Sequence, residues 1–201
     1  VMGMTKALQE RIIIAGNIRN PDTRSICVRY GNVIASRGSV IPLFHHQIEE
    51  GGPVTVTVPD MTRFLLTLNQ AVDTIFHALG NASAGEIIVP NAPSVTVMNL
   101  AKALVEDKAV DIEITGIRPG EKLHEIMVSE EEANTTSAKG NYYAIRPMLP
   151  ELIIDDFVPA LNKEFSSADN VLDYKGTREL LEEQNLLPGM ERAKESGELL
   201  V

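Results

Sequence analysis

Three stretches of the chain carry residue types able to bind a polar, anionic molecule. The first follows the apolar run that ends in Arg29-Tyr30-Gly31, where Asn32 leads through Ala35-Ser36 to Arg37, Gly38 and Ser39, just before Pro42. Ligands of open α/β sheets bind at the carboxyl ends of strands, and Asn, Ser, Arg and Gly there can present side-chain and backbone donors. An ordinary strand–helix connection made of turn residues is the alternative. The second stretch is Pro59-Asp60-Met61-Thr62-Arg63-Phe64, read as a strand-to-helix connection with Arg63 near the helix start. A cation there opposes the helix dipole and gains from a neighbouring anion; a surface arginine paired with Asp60 is the alternative. The third is Arg118-Pro119-Gly120-Glu121-Lys122. Pro-Gly makes a tight turn, and Glu121 can accept hydrogen bonds from hydroxyls. Two arginines from separate loops, Arg63 and Arg118, can hold a diphosphate through bidentate contacts. A solvated charged turn is the alternative.

Other chemistry-bearing residues point to less. His45 and His46 are adjacent, so on a helix they point about 100° apart and cannot both face one metal; no metal site is expected. His124 can serve as an acid–base group, although a lone histidine is more often structural. Glu130-Glu131-Glu132 reads as a solvated helix start. The single cysteine, Cys27, lies in the apolar run Ser25-Ile26-Cys27-Val28 and is expected to be a buried structural thiol, since nucleophilic thiols need electropositive, partly exposed sites. Neither G-x-G-x-x-G nor G-x-x-x-x-G-K-[ST] occurs, so the usual phosphate-cradling glycines are missing.

The elements that would position these residues alternate. Helical spacing covers residues 3–16, with Leu8, Ile12 and Ala15 on one stripe, and residues 65–79, with Leu65, Leu68, Val72, Ile75 and Leu79 on another, closed by Gly80-Asn81. Further helices are expected over 42–50, over 95–106 with Ser94 as a cap, and over 177–187. Strands are expected over 26–30, 54–58 (alternating Val and Thr), 86–89, 110–115 and 141–145. Residues 164–173 are polar and 148–150 begin an irregular stretch. Strands separated by helices of this length indicate an α/β protein with some parallel pairing.

With 201 residues, 44% of them apolar and 4% aromatic, the core must be aliphatic. A formal net charge of -10 argues against general nucleic-acid binding, which needs clustered Lys and Arg. It leaves room for a small phosphorylated ligand. No apolar run approaches the roughly 20 residues of a membrane helix, and a cytoplasmic location is the default expectation.

Taken in order, the stretches "VMGMTK", "VRYGNVIASRGSVIPLF", "PVTVTVPDMTRF", "GIRPGEKLHE" and "EFSSADNVLD" resemble the nucleotide-sugar branch of the extended short-chain dehydrogenase/reductases. Within it they are most similar to the inverting UDP-N-acetylglucosamine 4,6-dehydratase type, the capsular polysaccharide biosynthesis proteins. The resemblance covers almost the whole chain. It implies an α/β fold: the C-terminal part of an NAD(P)-binding Rossmann-like domain with a small substrate-binding α/β domain. The divisions expected from it are 1–95 for the Rossmann-like remainder interleaved with substrate-binding segments, 96–150 for UDP-sugar binding, and 151–201 as a C-terminal extension. Met2-Gly3-Met4-Thr5-Lys6 matches the family's Tyr-x-x-x-Lys. Lys6 then falls on the lysine that bonds the nicotinamide ribose, and Met2 on the acid–base tyrosine. A thioether cannot transfer a proton, so that work falls elsewhere; the family's Asp-Lys pair upstream of this motif is not in this chain. The chain is therefore expected to be the C-terminal portion of a longer enzyme.

The resemblance also assigns roles. NADP (or NAD) would take hydride from carbon 4 of the sugar, water would leave across carbons 5 and 6, and hydride would return to carbon 6 with inversion at carbon 5. Asn32, Arg37, Gly38 and Ser39 would contact the UDP-sugar, Val54 would lie against the uracil, and Arg63, Arg118 and Glu121 would hold diphosphate and ribose. Tyr30 joins Lys6 on the cofactor side. Val58 departs from the pattern, which has Asp before Pro-Asp-Met-Thr-Arg. A homo-oligomer is expected of the full-length protein. The rival readings are a UDP-sugar 4-epimerase, a non-catalytic UDP-sugar-binding module and an inactive structural fragment.

Overall fold

The computed structural model describes residues 2–36, 38–153 and 157–190. Arg37 and the side chain of Met2 lie outside the described residues. The elements in order are α1 (Met2–Arg19), β1 (Cys27–Val28), β2 (Asn32–Val33), α2 (Val40–Glu49), β3 (Val54–Val56), β4 (Thr62–Leu66), α3 (Leu68–Asn81), β5 (Ile87–Pro90), β6 (Ser94–Thr96) and α4 (Val97–Val105). There follow β7 (Ile112–Ile114), β8 (Ile126–Val128), α5 (Glu130–Ala133), β9 (Thr136–Lys139), β10 (Tyr142–Ile145), β11 (Phe165–Ser166), β12 (Val171–Leu172) and α6 (Tyr174–Glu183).

The strands form two four-stranded sheets and two ribbons. One sheet has the order β1-β5-β10-β9, with β1 and β5 parallel and the rest antiparallel. The other has the order β12-β6-β4-β2, parallel at both ends and antiparallel between β4 and β6. β3 pairs β7 in parallel, and β11 pairs β8 antiparallel. The mixed α/β class is the one expected.

β4 is the shared wall of the interior. Successive side chains of a strand point to opposite faces. Leu65 therefore joins a core of Ile41, Phe44, Val54, Val56, Leu100, Leu104 and Leu181. Phe64 and Leu66 join another core, with Ile87, Val89, Val128, Ile145 and Phe165. Gly31 lets the β1–β2 connection pass against β4: a Cβ there would sit 2.5 Å from Phe64 Cβ, well inside contact distance.

Several expectations are corrected. The apolar spacing at 65–79 suggests one helix, but Thr62–Leu66 is a strand and the helix begins at Leu68. Thr67 supplies the boundary through a capping box: its Oγ1 accepts from Gln70 N (3.1 Å), while Gln70 Oε1 accepts from Thr67 N (2.8 Å). The stripe of α3 also faces the opposite way. Leu68, Val72, Ile75 and Leu79 are exposed, and the helix is buried through the small face of Ala71, Thr74 and Ala78. On α1, likewise, Leu8 and Ile12 point outward while Ile14 and Asn17 are buried. α3 runs through Gly80 to Asn81, with Ala82 as its C-cap. Ser94 is not a cap; it is fully buried in β6, and Thr96 Oγ1 caps α4 by accepting from Asn99 N. The polar segment 164–173 contains β11 and β12, and the acidic stretch is followed by β9, pairing that polarity alone did not suggest.

Candidate functional site

The loop after β2 leaves the sheet through strained backbone. Ile34 N donates to Leu66 O (2.8 Å), and then Ala35 adopts φ 56 and Gly38 φ 75. A positive φ at a non-glycine residue costs energy that the surroundings must overcome. Asn32 and Gly38 are exposed. Ser39 precedes α2 in extended conformation, yet its Oγ makes no cap bond and is buried without a hydrogen-bond partner among the described residues. Arg37, between them, is outside the described residues.

Arg63 sits in mid-strand on β4, opposite Val95, not at a helix start. The helix-dipole argument for an adjacent anion therefore falls. Its guanidinium turns instead to the 121–125 loop. Nη2 donates to Lys122 O (3.0 Å), and Nη1 to Leu123 O (3.2 Å) and Thr62 O (2.7 Å). The carboxylates of Glu121 and Glu125 lie 4.0 and 3.7 Å away. Glu121 Oε2 in turn accepts from Arg118 N (3.2 Å), closing the Arg118–Glu121 turn, with Gly120 at φ 82. The fold thus gathers Arg63, Glu121 and the backbone of Arg118 at one place, with the side chain of Arg118 exposed beside them. Val54 is different. It is fully buried in β3 among Ile41, Phe44 and Leu100, so its side chain offers no surface to a uracil, contrary to expectation.

A hub not anticipated from the sequence lies at the carboxyl end of β1. Arg29 donates through Nε and Nη2 to Glu10 of α1 (both 2.7 Å), through Nη1 and Nη2 to Glu132 of α5 (2.8 and 2.9 Å), and to Met127 O (2.9 Å). Burial opposes the charge on Arg29, but the bonds and charges of both glutamates outweigh it and hold the guanidinium above its ordinary value. Burial likewise opposes the Glu132 carboxylate, but Arg29 and the Ser129 backbone outweigh that, holding its pKa below the usual value. The Glu130–Glu132 run is thus more than a solvated helix start. Lys6 is exposed, with no ion pair among the described residues, and stands one turn before Glu10 on the same helix face. Since Glu10 is held against Arg29, that face is turned towards the end of β1, where Tyr30 is 45% exposed.

Cys27, expected to be buried, is only half-buried. Burial and the nearby Glu10 raise its pKa, with Arg29 opposing; a thiol so placed is a poor nucleophile. No cluster of metal-ligating side chains occurs among the described residues. None of the described helices is long and apolar enough to cross a membrane.

Residues 1–147 match the family described as polysaccharide biosynthesis protein. A UDP-glucose 4-epimerase of Rickettsia typhi is 46% identical over 148 residues, covering 72% of this chain and 43% of that protein. The capsular polysaccharide biosynthesis protein CapD of Staphylococcus aureus is 39% identical over 176 residues, covering 82% of this chain and 29% of CapD. The crystal structure of Pen from Bacillus thuringiensis superposes with a TM-score of 0.82 at 32% identity, over 92% of this chain and 57% of Pen. A dTDP-glucose 4,6-dehydratase of Streptomyces venezuelae, DesIV, solved with NAD bound, shares the fold at TM-score 0.52 and 20% identity over 60% of this chain and 39% of DesIV. The chain spans less than half the length of the two curated relatives.

Proposed function

Because the chain belongs to the polysaccharide biosynthesis protein family and has the fold of extended short-chain dehydrogenase/reductases, we propose that the full-length protein is an NADP-dependent UDP-N-acetylglucosamine 4,6-dehydratase that inverts carbon 5. The observation that carries this reading is the meeting of β4 with the 118–125 loop. It brings Arg63, Glu121 and Arg118 together from segments more than fifty residues apart, a grouping that supports a site for a nucleotide diphosphate and its ribose. Arg63 and Arg118 then neutralise the diphosphate, which fixes the sugar without taking part in its chemistry. Glu121 accepts from the ribose hydroxyls. Asn32, Arg37, Gly38 and Ser39 are assigned to the sugar by the family resemblance, and Ser39 Oγ lacks a hydrogen-bond partner among the described residues.

The residues on α1 and at the end of β1 fit a nicotinamide nucleotide. Lys6, with no ion pair among the described residues, lies on the face turned towards Tyr30, which suits hydrogen bonding to a ribose. When bound, such a cofactor supplies a reversible hydride acceptor. Lys6 orients it, and Arg29 keeps α1 in place. Met2 cannot exchange a proton, so in this reading the acid–base group is another residue. The edge of β1, unpaired among the described residues, and the outward apolar faces of α1 and α3 fit burial by further chain in the full-length protein.

The similarity to a UDP-glucose 4-epimerase at 46% identity favours a second reading, in which hydride returns to carbon 4 and no water is lost. Incubation of the full-length protein with NADP and UDP-N-acetylglucosamine, in ordinary and in deuterated water, separates the two. The dehydratase gives a product lighter by one water, with solvent deuterium at carbon 5. An epimerase leaves the mass unchanged. No turnover of any UDP-hexose would refute both.

A further inference from the structure

The foot of the 118–125 loop is held by a buried hydroxyl network that lies outside the roles assigned above. Thr62 Oγ1 lies 2.8 Å from His124 Nδ1 and 2.6 Å from Ser167 Oγ. Ser167 Oγ also accepts from Glu125 N (2.9 Å) and reaches Thr62 O at 3.2 Å. Backbone bonds run alongside: Thr62 N donates to Leu123 O (3.0 Å) and Ser167 N to Glu125 O (2.8 Å). Thr62 and Ser167 are 3% and 0% exposed. Three segments distant in sequence therefore meet at two hydroxyls: β4, the loop, and the turn after β11. That turn is itself secured, because Phe165 packs against Phe64 and Tyr143 and Asp169 accepts from Ser166 N.

The loop is held unevenly. From Lys122 to Glu125 each residue is bonded to β4 or to Ser167, through Arg63 or the hydroxyls. The tip from Ile117 to Gly120 is exposed and, among the described residues, is tied by the Arg118–Glu121 turn alone. Whatever the tip binds, its position is set at the foot.

We propose that Thr62 and Ser167 are positioning residues: their hydroxyls clamp the foot of the 118–125 loop so that Arg118 and Glu121 stand ready for the diphosphate and ribose of a uridine nucleotide. This rests on the nucleotide-sugar reading above. The clamp acts through the loop, and neither hydroxyl touches the ligand. His124 belongs to it as a hydrogen-bonding partner of Thr62.

The test compares wild-type full-length protein with Ser167→Ala, Thr62→Val and the hydroxyl-retaining Thr62→Ser, using UDP and NADPH titrations and amide exchange. Loss of a buried hydroxyl partner is expected to weaken UDP binding about tenfold in Ser167→Ala and Thr62→Val. Thr62→Ser stays within about twofold of wild type, and NADPH affinity is unchanged in all three. Amides 122–125 lose protection only in the two hydroxyl-deleted variants. The proposal is overturned if both of those variants bind UDP as wild type does, or if Thr62→Ser is as weak as Thr62→Val. A wild-type protein that takes no UDP while its 122–125 amides are protected refutes the nucleotide-sugar reading, and the positioning role with it. Normal wild-type binding with unaffected variants refutes the positioning role alone.

Discussion

Replacing Arg29 by Met tests the hub at the end of β1. The substitution keeps an unbranched, partly apolar stem but removes five donor contacts, leaving Glu10 and Glu132 facing each other without a cation. Removing one partner of a buried ion pair costs about 3–5 kcal/mol. The side chains here are 25%, 23% and 20% exposed, so screening reduces the figure to about 2–4 kcal/mol. For a chain of this size that corresponds to a fall in Tm of about 5–15 °C at neutral pH. The pH dependence is diagnostic. The folded-state pKa of Glu132 is depressed, so its contribution is complete above its unfolded value of about 4.3 and is lost as pH falls through the lower folded value. The gap in Tm between wild type and Arg29→Met should therefore narrow on acidification across that window. Thermal unfolding by circular dichroism from neutral pH into the acid range measures both quantities. A gap below about 2 °C at neutral pH, or one that stays constant into acid, would refute the assignment of Arg29 as the tie between α1 and α5.

Two further outcomes follow from the same geometry. Gly31→Ala places a Cβ 2.5 Å from Phe64 Cβ and 3.0 Å from Met127 Cε, and the resulting strain should cost about 1–3 kcal/mol in chemical denaturation; an unchanged midpoint would mean that β4 yields freely. The 201-residue chain by itself is expected neither to hold NADP tightly nor to turn over, since few cofactor-binding groups reside in it. Calorimetry with NADP and mass spectrometry of its reaction mixture check this, and detection of product would overturn it.

The α/β class was legible from the sequence because alternation of apolar runs and turn residues reflects local backbone preference. Arg63, Arg118 and Glu121 could be picked out in the sequence as residues able to meet an anion or a hydroxyl, but that Arg63 and Glu121 stand side by side is decided by the fold. Orientation was not. The apolar stripes of α1 and α3 read as core-facing, yet α3 is buried through Ala71, Thr74 and Ala78, because small side chains allow close approach to β1 and β5. Periodicity reports that a helix has two faces; only the tertiary structure decides which one finds a neighbour. Arg63 shows the same limit. The sequence reads it as a helix start, but Thr62–Leu66 is a strand and the capping box at Thr67 places the start of the helix after it. Ser167 and Glu132 read as members of polar and acidic runs. They acquire roles through partners about a hundred residues away, Thr62 and Arg29. Pairing over that distance leaves no local periodicity or spacing to read, so these contacts are decided only by the tertiary structure.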